Sequence, residues 1–104
     1  MIWVRIAGSP PRQFYRNADA LQHLTAGEAR EELLVSVGLL HSGAGDETPN
    51  MTIQLRNEDG RCARLFAYPP IGEQADVIDE NGVVFTGMVK KITLGTTCSI
   101  EVQA

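Results

Sequence analysis

The chain reads as a mainly β domain, a small antiparallel β-barrel or sandwich of about six or seven short strands with room for one short helix. Three observations point there. Met51, Ile53 and Leu55 alternate with Thr52, Gln54 and Arg56, the period-two pattern of a strand with one buried and one wet face. Asn81-Gly82 separates two strand-like runs, and Asn-Gly is the strongest short hairpin signal because both central residues of a type I′ turn need positive φ. Strand-like runs then recur along the whole chain, punctuated by Gly, Pro, Asn and Asp, the residues that favour turns.

Taken in order, Met1 to Ala7 alternates weakly and stops at Gly8-Ser9-Pro10-Pro11, which predicts a first strand. Gln13-Phe14-Tyr15-Arg16 is short and aromatic, suited to a second strand or an extended arm. Ala18 to His41 is contested. Thr25-x-x-Glu28 has the form of a capping box, and Ala26, Ala29, Leu33, Val37 and Leu40 recur at helical spacing, so a helix over Ala26 to Leu34 is defensible. Leu33, Val35, Val37 and Leu39 equally fit a period of two, and Gly38 weakens a helix. The β-branched residues favour a strand from about Glu32 to His41, with Ala18 to Arg30 open between helix and strand. Ser42 to Asn50 holds small, polar and helix-breaking residues and predicts an exposed loop at the tip of a long hairpin. The next strand ends at Asn57-Glu58-Asp59-Gly60. Arg61 to Tyr68 has space for one helical turn before Pro69-Pro70 forbids more. Strands follow near Glu73 to Asp79 and Val83 to Leu94, the latter with a bulge or bend at Gly87. Cys98, Ile100 and Val102 alternate to the end after a turn at Gly95-Thr96-Thr97.

At 104 residues, with 43% apolar and 21% charged residues, the expectation is one folded, soluble domain over residues 1–104. A net charge of −4 with no basic cluster beyond Lys90-Lys91 argues against a nucleic-acid partner, since phosphate contacts need a basic face. Met1-Ile-Trp-Val-Arg-Ile lacks the basic and long apolar regions of a leader, and no apolar run approaches the ~20 residues of a membrane span. A cytoplasm-like setting and no membrane are therefore expected. Cys62 and Cys98 have no close Cys or His neighbour, so they read as small apolar residues in or near the core, with a disulfide left open.

Chemistry-bearing patterns are weak throughout. His23 and His41 could join Asp46 or Glu47 around a metal, but nothing in their spacing fixes a separation. Asp76, Asp79 and Glu80 with Glu58 and Asp59 suggest paired carboxylates, but most of them sit at turns, where acids are expected anyway. Ser36 and Ser99 lie in strand patterns outside any nucleophile elbow, and neither Gly38 to Gly45 nor Gly82 to Gly87 forms a phosphate loop ahead of a helix. No catalytic, cofactor or metal residue is assigned, and an enzyme is not expected. What remains is mechanical: a projecting hairpin (Ser42, Gly43, Asp46, Glu47) and the aromatics Trp3, Phe14 and Tyr15, read as protein-interaction residues, with Trp3 the one expected to be shared with a partner. Phe66 and Phe85 are assigned to the core.

The second half carries a resemblance. Thr52-Ile-Gln-Leu-Arg-Asn57, Asp59-Gly60-Arg61, Leu65-Phe66-Ala67, Pro70-Ile-Gly72, Val83-Val-Phe85-Thr-Gly87-Met-Val89 and Ile100-Glu-Val102 together resemble the strand-turn-barrel segment of tailed-bacteriophage tail and baseplate hub proteins, over Asn50 to Ala104. The resemblance implies a stand-alone tail or baseplate subunit of a phage or prophage. Such a subunit would be assembled in the host cytoplasm, reside in the virion tail, and act through contacts with other phage tail proteins or with its own copies. It carries no catalytic residues. The alternative reading is a small β-barrel binding or adaptor module for a peptide or carbohydrate.

Overall fold

The computed structural model describes residues 1–8, 10–41 and 50–104. Among them lie eight strands: β1 (Ile2–Ile6), β2 (Arg12–Tyr15), β3 (Ala29–Glu31), β4 (Leu34–His41), β5 (Asn50–Arg56), β6 (Gln74–Asp79), β7 (Gly82–Thr93) and β8 (Thr97–Gln103). A 3-10 helix spans Ala18–His23, and a short α-helix, α1, spans Arg61–Leu65. The mainly β expectation holds, but the architecture is neither a closed barrel nor a sandwich. All eight strands form one open sheet in the order β3-β2-β1-β6-β7-β8-β5-β4. It is not purely antiparallel either, because β2 and β3 run parallel. The parallel pair arises from residues 16–28, which hold the 3-10 helix and return the chain beside β2; parallel neighbours need a crossover of about a dozen residues or more.

The sheet is rolled around its core. One apolar cluster takes Val4 and Ile6 from β1, Phe14 from β2, Ile53 and Leu55 from β5, Val77 from β6, Val89 from β7 and Ile100 and Val102 from β8. Each strand contributes alternate residues because successive side chains point to opposite faces. Cys62 and Phe66, at α1, plug one end, and Phe66 lies 6.0 Å from Phe14, ring centroid to ring centroid, in a tilted arrangement. Such offset aromatic pairs add about 0.5–1.5 kcal/mol beyond their buried area. Asn57 fastens this plug: its Nδ2 donates to the Gly95 carbonyl at 2.8 Å, its Oδ1 accepts the Cys62 N–H at 2.9 Å, and its own N–H donates to the Thr96 carbonyl at 3.1 Å. The end of β5, the start of α1 and the β7–β8 turn are thereby joined through one buried side chain.

Strand β7 turns the corner. Its residues from Gly82 to Met88 pair with β6 and those from Met88 onward with β8. Gly87 is required there, since a Cβ would stand 2.6 Å from the Gln103 carbonyl oxygen. The bulge expected at Gly87 lies on either side of it, at register shifts between Val77 and Ile78 of the β6 pairing and between Val89 and Lys91 of the β8 pairing. The β6–β7 hairpin is as expected, but its turn is not type I′. Asp79 and Gly82 close it, Gly82 has φ +121, and no described non-glycine residue has positive φ. The Asp79 carboxylate accepts the Asn81 N–H at 2.8 Å, a local bond that holds Asn81 without a left-handed backbone.

The helix considered over Ala26 to Leu34 does not form. Thr25 does not cap anything: its N–H donates to Gln13 Oε1 at 3.0 Å, and Gln13 Nε2 donates back to the Thr25 carbonyl at 3.1 Å. Glu28 instead takes a two-pronged bond from Arg5, at 3.0 and 2.9 Å, and a third from Gln13 at 3.1 Å. These tertiary partners outweigh a capping box whose helix would carry Gly27 at φ +86. Gln13 is 1% exposed yet fully bonded, which is the condition under which a buried amide stabilises a fold.

Candidate interaction surface

The expected interaction residues divide in three. Trp3 is buried, stacked on the His23 ring at 5.2 Å and packed with Ala20 and Leu24 of the crossover. Phe14 is fully buried in the main core. Both side chains are spent inside the chain rather than presented to a neighbour, because the crossover folds over the outer face of β1 and supplies Trp3 with an internal partner. Tyr15 is half-buried beside the same cluster. Ser42, Gly43, Asp46 and Glu47 lie outside the described residues. Of the metal set, His23 is engaged with Trp3, and among the described residues no three His, Cys, Asp or Glu side chains converge.

Residues the sequence reading did not single out form a more coherent surface. Strand β4 is the terminal strand of the sheet. It is eight residues long, and Leu33 to Leu40 carries no charge. The other edge, β3, covers β2 only as far as the Phe14–Glu31 pair. Only Glu32 and Leu33 separate the end of β3 from the start of β4, a reach of about 10 Å at most. The two ends of the sheet therefore meet at one corner, which is pinned where the Arg56 N–H donates to the Leu33 carbonyl at 2.8 Å and the Arg56 guanidinium donates to the Glu32 carbonyl. Beyond that corner, among the described residues, no strand lies between the β2 end and β4.

The gap is a groove of about 380 Å³, with Met1, Ile2 and Arg16 on one wall and Leu34, Val35 and Val37 on the other. A second depression of about 320 Å³ continues it to the corner, reaching Glu32 and Arg56. Val35 is 39% exposed and Ile2 43%. The groove thus combines a bare strand edge, apolar side chains, and guanidinium groups at Arg16 and Arg56. The sequence signal for it was the uncharged run itself, which becomes meaningful only once β4 is known to be an edge: buried strands are uncharged too.

A separate cleft of about 340 Å³ lies beside α1. Its floor is Ile6, Phe14, Leu65 and Phe66, and Arg12 and Arg64 flank it, with no acid among the described lining residues. Tyr68 stands at its rim, 94% exposed. The two thiols offer no nucleophile: Cys62 and Cys98 are free and buried. Burial pushes Cys62 up, and burial together with the neighbouring Cys62 pushes Cys98 up to about 12, so neither is the thiolate that reaction requires. No described helix is long and apolar enough to cross a membrane.

Compared with known proteins, the chain matches no family model, no curated protein and no solved structure.

Proposed function

We propose that this protein is a non-catalytic assembly subunit, a tail or baseplate component of a phage or prophage, that works by contact with fellow tail proteins and with copies of itself. The observation that carries the reading is β4: an eight-residue edge strand, uncharged from Leu34 to Leu40, with no further strand beside it among the described residues and an apolar groove along it. Soluble proteins blunt such edges unless pairing is their use, because the unpaired N–H and C=O groups template further strands. The phage assignment is supported by the motif resemblance over Asn50 to Ala104. Native mass spectrometry and light scattering of the purified chain, alone and co-expressed with the products of its neighbouring genes, test it. Defined oligomers or complexes are expected, and a strict monomer in every mixture overturns the reading.

A second reading, a peptide-binding adaptor, is favoured by the α1 cleft, where two arginines flank an apolar floor in a chain of net charge −4. Titration of the chain with acetyl-Glu-Phe-Asp-amide tests it: amide shifts at Ile6 to Phe14 and Arg64 to Pro70 support an adaptor, and their absence removes it.

A further inference from the structure

We infer that the open seam between β2 and β4 receives a single extended segment from another protein chain, which enters as a ninth strand and closes the rolled sheet. The inference rests on the assembly reading and names the form of the partner.

Both walls start from the same pinned corner. Past Phe14, β2 has one further strand residue, Tyr15, before the chain leaves through Arg16 and Asn17, which line the groove; the facing β4 wall runs from Leu34 to Val37. Both chains run outward from that corner, so one inserted segment lies antiparallel to both, with its backbone bonding along β4 and meeting the short β2 end at Tyr15 to Asn17. Three features define what fits. The bare β4 edge presents main-chain donors and acceptors, which only another extended backbone matches in register. Val35, Val37 and Ile2 line the slot, which calls for apolar side chains at alternate positions. Arg56 stands at the corner and Arg16 lines the same depression farther out, with Glu32 the one acidic lining residue among those described, so an acidic residue toward the carboxyl end of the segment is complementary.

The slot also selects against a second copy docking through its own β4. That strand is paired to β5 along its length, and a sheet carried behind it would meet the opposite wall at Met1, Ile2 and Asn17. The occupant is therefore an arm or loop without a sheet of its own attached.

The test uses the full chain and the probe peptide acetyl-Val-Thr-Val-Thr-Val-Asp-amide, read by hydrogen exchange of individual amides. On addition of the peptide, the Val35 to Gly38 and Tyr15 to Asn17 amides are expected to slow about tenfold or more, while β6 and β8 amides stay unchanged. Val35→Lys, with its circular dichroism unaltered, is expected to abolish the effect; Val83→Lys, on the exposed face of β7, is expected to leave it intact. No slowing with the peptide, in a chain that does form oligomers, overturns the inference and leaves the assembly reading standing. Slowing confined to β4 in a homodimer, with Tyr15 to Asn17 unchanged, also overturns it, in favour of edge-to-edge docking of copies. β4 amides already as slow as those of β8 in the isolated monomer overturn it as well.

Discussion

The two ends of one sheet are treated in opposite ways. β3 is three residues long and is hemmed by charge: Glu31 sits 3.8 Å from Arg12 and 4.0 Å from Arg61. Shortness and charge are two of the standard means of stopping an edge from accepting strands. β4 is eight residues long, carries no charge from Leu34 to Leu40, and leaves Val35 39% exposed. Register shifts near Val35 and between Leu39 and His41 twist it, yet place no charge in the way of a partner. Within a single small protein, one edge is closed to addition and the other is left available, and the assembly reading proposed above therefore rests on the β4 side.

Substitutions on the two sides test that contrast. The largest effect is expected at Phe14, which anchors the β3 side to the core through its pairing opposite Glu31 and its packing on Phe66. Phe14→Ala should cost about 3–5 kcal/mol, measured as a fall in the chemical-denaturation midpoint. Gln13→Leu comes next. It strips the Thr25 N–H and C=O of their partner and should cost about 1–3 kcal/mol, with faster hydrogen exchange at Thr25 than in any β8 amide.

A smaller, pH-dependent effect belongs to Glu28. The hydrogen bond from Arg5, reinforced by its charge and by Gln13, holds this carboxyl below the usual glutamate range. A lowered folded pKa means that its contribution is fully present above the unfolded value of about 4.3 and is lost as pH falls through the lower folded value. The chain should therefore lose stability in acid more steeply than Glu28→Gln, compared by denaturation midpoints across that range; equal slopes would mean that the Arg5–Glu28 pair does not stabilise the β3 side. The smallest stability effect is expected at the open edge: Val35→Lys should stay within about 0.5 kcal/mol while association is lost. Arg30→Val on the β3 edge should leave association untouched, and a variant pair that behaves the other way round would reverse the comparison.

Much of the strand content was legible. β1, β5, β6, β7 and β8 follow alternation and turn chemistry, and α1 follows the short gap between Gly60 and Pro69. Less visible were the 3-10 helix, β3 and the inward aromatics. β3 is too short to show a period, and Thr25 and Glu28 look like a helix start until Gln13 and Arg5 arrive from other strands. Trp3 looked like a surface aromatic because its partners, His23 and Ala20, come from the crossover.

What the amino-acid order determined by itself is which segments are extended and where each one stops, because alternation, Gly, Pro and Asn act within a few residues. Which strands become neighbours, and hence which edge stays bare, was decided only by the tertiary structure. A strand's hydrogen-bonding partners are distant in sequence, so the uncharged run of β4 does not by itself distinguish an edge from a buried strand.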